Sequence, residues 1–198
     1  QERAHVNLSK LDSYKEDNRL EAKAAQGGLP QSIWASISAF ANTNGGIILL
    51  GVAERKDNTL EAVGLKDAHR MADDFWNAAH SADKLSPCVL ANKDVRIENV
   101  EGKDVLVIEV PRTRRQQRPV YINGNPVRGT YRCDHTGDYL CGMSEIEAMY
   151  RDASNESVDL RLHENLVVGD LSAETVDSYR RSYDLHHELS LIHISEPT

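Results

Sequence analysis

Residues 33–52, IWASISAFANTNGGIILLGV, decide the fold of this 198-residue chain. In the first half of the stretch, apolar residues recur at spacings of three and four, as they do along one face of a helix: Ile33, Ile37, Phe40 and Ala41. The pattern predicts a helix from Pro30 to Asn42, which the glycine pair at 45–46 would end. The following run 47–52 is continuously apolar and bounded by glycine, which predicts a strand buried on both faces.

A second strong pattern lies at residues 95–110, where two runs rich in valine and isoleucine flank Glu101-Gly102-Lys103 and predict a β-hairpin. Weaker patterns predict the other elements: a strand near 19–23, a hairpin strand at 60–63, a helix at 67–82, extended pieces at 120–122 and 130–132, and helices at 144–152 and 175–183. Ser144, with Glu147 three residues on, is a candidate capping box. The predicted fold class is α/β (α+β), a mixed β-sheet packed by helices with a partial helical C-terminal extension.

Composition excludes several classes of protein. No apolar run approaches the ~20 residues that a membrane span needs, and the first residues do not form a signal peptide. Three cysteines, an odd number, do not suit a disulfide framework. The sequence therefore predicts a cytoplasmic protein without membrane contact. A net charge of −8 argues against a generally basic, DNA-coating protein, so any contact with phosphates must be local.

Four short stretches, in their order along the chain, carry a resemblance to a known family. They are EDNRLEAK at 16–23, SAFANTNGG at 38–46, IILLGVAE at 47–54 and VGL at 63–65. This order resembles the Schlafen-type AlbA-like domain, over about residues 11–132. The later GDYLCGMSEIEAMYRD at 137–152 resembles the continuation in bacterial members, which are described as DNA-binding, transcription-regulator or RecG-like helicase-related proteins.

The resemblance implies a candidate catalytic and metal site. Schlafen proteins that cleave RNA use two glutamates of an E-x4-E-x-K motif and an acidic residue two positions beyond the G-V of the buried strand. Glu16 and Glu21 match the two glutamates, Lys23 matches the lysine, and Glu54 stands where aspartate is usual. Three converging carboxylates can bind Mg²⁺ or Mn²⁺, and the metal can activate water against a phosphodiester. The longer side chain of Glu54, and Ala22 in place of a frequent aromatic residue, would loosen this site.

The segment PRTRRQQRPVY at 111–121 is the densest cationic stretch, and it contains Arg112, Arg114, Arg115 and Arg118. The leading hypothesis is a DNA-binding or other nucleic-acid-binding module of a bacterial transcription regulator or helicase-related protein. In it these four arginines contact phosphates, with Lys23 near the same surface. The pattern does not choose between DNA and RNA, and a solvated surface loop is the structural alternative.

Two other functions stay open. One is an Mg²⁺- or Mn²⁺-dependent RNA endonuclease that uses the three glutamates. The other is an oligomerising or sensory scaffold, whose partner would be a second copy of the chain. No further cofactor is expected, since an ATP-binding unit would lie in a C-terminal region beyond this sequence.

The expected organisation has three parts. Residues 11–133 form the nucleic-acid-binding domain, and residues 134–188 begin a second, truncated region. Residues 189–198, LSLIHISEPT, look like the translation of a sequencing adapter, so we expect a fragment of a longer protein.

Overall fold

The computed structural model describes residues 8–14, 19–81, 83–134 and 137–159, together with residues 172, 174, 177, 178 and 181. The chain divides into two compact units, Gln1–Val158 and Asp159–Thr198. In the second unit, the described residues 174, 177, 178 and 181 are helical, in agreement with the helix predicted there. Residues 189–198 lie outside the described residues, so the adapter interpretation stays a prediction.

The first unit alternates strands and helices along the chain. A 3₁₀-helix at Leu8–Ser13 precedes the other elements, which are β1 (Leu20–Lys23), α1 (Ile33–Asn42), β2 (Gly46–Leu50), β3 (Val52–Glu54), β4 (Leu60–Ala62), α2 (Ala68–Ala79), β5 (Val95–Val100), β6 (Lys103–Val110), α3 (Pro126–Gly129), β7 (Tyr131–Asp134), β8 (Gly137–Leu140) and α4 (Met143–Asp159). Among the described helices, none is long and apolar enough to cross a membrane.

A four-stranded mixed sheet in the order β1-β2-β6-β5 forms the centre of the unit. Strand β1 is parallel to β2, whereas β6 is antiparallel to both of its neighbours. The predicted class, a mixed sheet packed by helices, is therefore confirmed. Strands β3 and β4 form a separate hairpin, as do β7 and β8.

Strand β2 is buried at every position, and its side chains alternate between two cores. Ile48 and Leu50 join a cluster with residues of α1, α2 and β6. Ile47 and Leu49 face the opposite side and pack with the 3₁₀-helix and the β3–β4 hairpin. The prediction of a strand buried on both faces is thus confirmed.

Three predicted boundaries were wrong. The first helix begins at Ile33, since Pro30 precedes it instead of occupying its first turn. The apolar run 47–52 is interrupted at Gly51, whose φ of 92° turns the chain so that Val52 starts β3 in another sheet. The last helix of this unit extends to Asp159, and its capping carboxylate is Glu145, which accepts the amide of Gly142 at 2.8 Å.

Candidate nucleic-acid interface

The arginine loop, Pro111–Arg118, follows directly on the last residue of β6. Arg112, Arg114 and Arg115 are exposed, and a 3₁₀-helix at Arg115–Gln117 shapes the middle of the loop. None of the four arginines forms an ion pair with a carboxylate within the described part of the chain. The loop therefore presents positive charge that an anionic partner can use.

Arg118 is the least exposed of the four guanidinium groups. Its Nε donates a 3.0 Å hydrogen bond to the Thr113 carbonyl across the loop. Burial lowers the pKa of Arg118, and the neighbouring charges of Arg112 and Arg115 lower it further, while Asp152 of α4 acts in the opposite direction. Since arginine stays protonated at any ordinary pH, these three residues form a cluster of like charges that a phosphate would relieve.

Two consecutive residues of α1, Ala41 and Asn42, hydrogen-bond the two ends of residues 113–120, which contain most of the arginine loop. The Thr113 amide donates to the Ala41 carbonyl at 2.9 Å. At the other end, the Asn42 side chain accepts the Val120 amide at 2.9 Å and donates to the Val120 carbonyl at 2.8 Å. The region between is thus fixed to the scaffold at both sides.

Glu21 occupies a different and more enclosed position. It lies on β1, where its side chain is 17% exposed and pairs with Lys23 at 3.0 Å. Because Leu20 and Ala22 belong to the core on the hairpin side of the sheet, alternation directs Glu21 to the side of α1. Burial raises the pKa of the Cys133 thiol on β7, and the negative charges of Asp138 and Glu21 raise that pKa further.

The structure describes two of the three predicted metal ligands, Glu21 and Glu54, and they differ in exposure. Glu54 is exposed at the end of β3, opposite Leu60 in the hairpin register. Glu16 lies outside the described residues, so convergence of the three carboxylates stays a prediction. Among residues that the structure describes, no group of three acidic, histidine or cysteine side chains is placed to hold a metal.

The sheet register brings the arginine loop and the beginning of β1 to the same end of the molecule. Gly46 pairs with Val110, one residue before the loop, and its neighbour Ile47 pairs with Leu20. Two strand spacings, about 10 Å, separate β1 from β6. Lys23 pairs with Leu50, at the opposite end of β2. The register therefore sets Lys23 further from the arginine loop than Glu21.

Sequence reasoning missed the polar residues that support this end of the sheet. Ser38 and Asn42 are buried on α1 and bond to segments that lie 78 to 93 residues further along the chain. Ser38 and Asn42 are spaced by four residues on a mostly apolar helix, and this spacing could have indicated that they share a buried polar role. Asp152 was missed because it lies far from Arg118 in the sequence. Asp138 was missed because strand β8, which pairs it with Cys133, was not predicted.

The mixed sheet, with α1 and α2 on one face and the β3–β4 hairpin on the other, is consistent with an AlbA-like α/β domain. The family model described as Schlafen, AlbA_2 matches residues 14–138. The chain therefore belongs to the Schlafen AlbA_2 family, and the resemblance found in the sequence is confirmed.

Two solved structures are similar to part of this chain. One is the solution structure of the N-terminal domain of a Nitrosomonas europaea protein described as related to the ATP-dependent DNA helicase RecG. It is 25% identical, with 69% of this chain and 91% of that chain covered and a TM-score of 0.45. A crystal structure of a Corynebacterium diphtheriae protein is 16% identical, with 67% of this chain and 23% of that chain covered and a TM-score of 0.44. No curated protein matches the sequence.

Proposed function

We propose that this domain binds nucleic acid through the arginine loop. The observation that carries the proposal is the placement of four arginines on one short loop, three of them exposed and none with a carboxylate ion-pair partner in the described regions. Exposed guanidinium groups bind phosphate oxygens through two parallel hydrogen bonds. Arg114, exposed on the same loop, would extend the contact along the phosphate backbone.

The net charge of −8 disfavours diffuse attraction to phosphates, so binding would depend on this local cationic loop. One further observation supports the function. The Schlafen AlbA_2 family relates to proteins that act on nucleic acids. Within this proposal the domain is the nucleic-acid-binding part of a bacterial-type transcription regulator or helicase-related protein. Lys23, paired with the end of β2 that is far from the loop, would be a secondary contact for a nucleic acid that extends along β1.

Removal of two loop charges tests the proposal. Arg112→Ala together with Arg115→Ala should weaken binding to a fluorescent oligonucleotide and reduce the slope of log K against log salt by about two units, near one for each lost phosphate contact. The matched control is Arg70→Ala with Lys93→Ala, which removes two exposed positive charges elsewhere. Equal effects of the two pairs would show that only net charge matters, and the proposed site would be wrong.

A second function, Mg²⁺- or Mn²⁺-dependent RNA cleavage, is favoured by the setting of Glu21. Its carboxylate is largely enclosed and lies beside a lysine that could stabilise charge on a phosphate. In this function Glu21 shares the metal with Glu16 and Glu54, since hard divalent cations prefer several carboxylate oxygens.

The cleavage function is tested with purified protein, labelled RNA and either metal. Glu21→Gln should abolish metal-dependent cleavage and leave binding intact, because it removes a ligand charge with little change of shape. Glu101→Gln, in the exposed turn between β5 and β6, is the matched control. Absence of cleavage by the unaltered protein with both metals would refute this second function and leave the binding function standing.

A further inference from the structure

Asn42, the last residue of α1, uses its side chain to bond two other segments of the chain. Asn42 is 5% exposed, on a helix whose other inward residues are mostly apolar. Its side-chain oxygen accepts the Val120 amide, and its nitrogen donates to the carbonyls of Val120 and Tyr131, at 2.8 and 3.0 Å. One side chain therefore joins the exit of the arginine loop to the beginning of β7.

Ser38, one turn earlier on α1, reinforces the same junction. Its hydroxyl donates to the Val120 carbonyl at 2.7 Å and accepts the Tyr131 amide at 2.9 Å. With the Ala41 carbonyl holding the Thr113 amide, α1 fixes both ends of residues 113–120. Between these ends, the backbone bonds within the loop are local: Gln117 to Arg114, and Arg118 to Arg115.

We propose that Asn42, supported by Ser38, is a positioning residue that pre-organises the arginine loop for phosphate. This inference rests on the proposed nucleic-acid-binding function. A loop held at both ends presents its guanidinium groups in one arrangement before the ligand arrives. Without the Asn42 bonds, the exit is still held by Ser38 and by the pairing of Tyr121 with Ser86, but less tightly. The loop must then be ordered further during binding, and that ordering weakens affinity although every arginine is still present.

The structure also explains why the position carries asparagine. Val120 is fully buried, so its amide and carbonyl need partners within the protein. An asparagine side chain offers one acceptor group and two donor hydrogens, which match the Val120 amide and the two carbonyls. An apolar residue would fill the space but remove the bonds to the Val120 amide and the Tyr131 carbonyl, and it would leave the Val120 carbonyl with the Ser38 hydroxyl alone.

The test compares Asn42→Ala with Thr43→Val on the full chain. Thr43 is the next residue, and its hydroxyl accepts a hydrogen bond from the Cys133 amide at 3.0 Å. Thr43→Val removes this bond, which involves no residue of the arginine loop. Oligonucleotide affinity is measured by fluorescence anisotropy at a temperature where circular dichroism shows each variant folded. Amide hydrogen exchange of residues 113–121 is measured on the same samples. If Asn42→Ala does not fold, Ser38→Ala takes its place.

We expect Asn42→Ala to weaken binding about tenfold, as expected for the loss of one or two pre-ordered side chains, and to accelerate exchange in residues 113–121. Thr43→Val should change neither quantity. A folded Asn42 or Ser38 variant with unchanged affinity would overturn the positioning role, as would an equal loss in Thr43→Val. If instead Arg112→Ala with Arg115→Ala leaves affinity unchanged, the proposed binding function itself is wrong. Failure of the positioning role is thus distinguishable from failure of the binding function.

Discussion

The contact between Gly46 and Phe40 gives a sharp test of the packing that supports the arginine loop. Phe40 is 3% exposed on α1, and Gly46 begins β2 directly beside its ring. A methyl group added at Gly46 would lie 2.5 Å from Cδ2, 2.7 Å from Cγ and 2.8 Å from Cε2 of that ring. Real side chains do not tolerate such distances, so Gly46→Ala must displace either the ring or the strand.

The expected magnitudes follow from the two kinds of damage. Gly46→Ala overpacks the core and should lower the free energy of unfolding by about 1–3 kcal/mol. Phe40→Ala opens a cavity and should lower it by about 3–5 kcal/mol. In the double variant, the new methyl group enters the space that the ring has left. Its loss of stability should therefore be smaller than the sum of the single losses by about 1–2 kcal/mol.

Urea unfolding followed by circular dichroism measures all four free energies of the cycle. Gly27→Ala is the control, since a methyl group there would meet nothing within 4 Å. It should be neutral alone and additive with Phe40→Ala. Additive losses for the Gly46 and Phe40 pair would refute the argument, because they would mean that the methyl group and the ring do not compete for the same space.

Three other variants or reagents test local features. Thr113→Val should leave stability unchanged or raise it by about 1 kcal/mol, because the buried Thr113 hydroxyl has no partner among the described residues; a comparable loss in urea melts would reveal one. Gly129→Ala should unfold the domain or lower its stability by more than about 4 kcal/mol, since the added methyl group would overlap the Ile122 carbonyl, and a native circular dichroism melt would contradict this. At pH 8 a thiol reagent should modify Cys88 first, because Cys88 is exposed, whereas burial raises the pKa of Cys141 to about 11 and keeps it protonated; equal labelling rates would be the contrary result.

The sheet was predictable because its central strands carry local signals. The runs 47–50 and 105–108 are continuously apolar, and both lie in adjacent buried strands. The break at Gly51 was not predictable from periodicity, since Val52 is as apolar as the residues before it. Only the pairing of β3 with β4 shows why the chain must turn there.

The candidate interface divides in the same way. The arginines lie within seven residues of one another, so charge patterning found them without a structure. The groups that act on the loop come from distant segments: Asn42 bonds to Val120, 78 residues away, and the charge of Asp152 on α4 raises the pKa of Arg118. A single sequence contains no local signal for such pairs. The nearest sequence indication of such long-range bonds is a polar residue that interrupts an apolar helix face, as Ser38 and Asn42 do on α1.

Those interruptions also connect the fold to the proposed function. Serine and asparagine are weaker helix formers than the alanine or leucine that would suit positions 38 and 42 of an apolar helix. Their presence there is explained by the segments that they hold, because the backbone groups of the buried Val120 and of Tyr131 are hydrogen-bonded to these two side chains. An acidic chain gains little from diffuse attraction to phosphates. Under the proposed function, nucleic acid would bind where the arginines of the loop are held together, and α1 supplies hydrogen bonds at both ends of that loop.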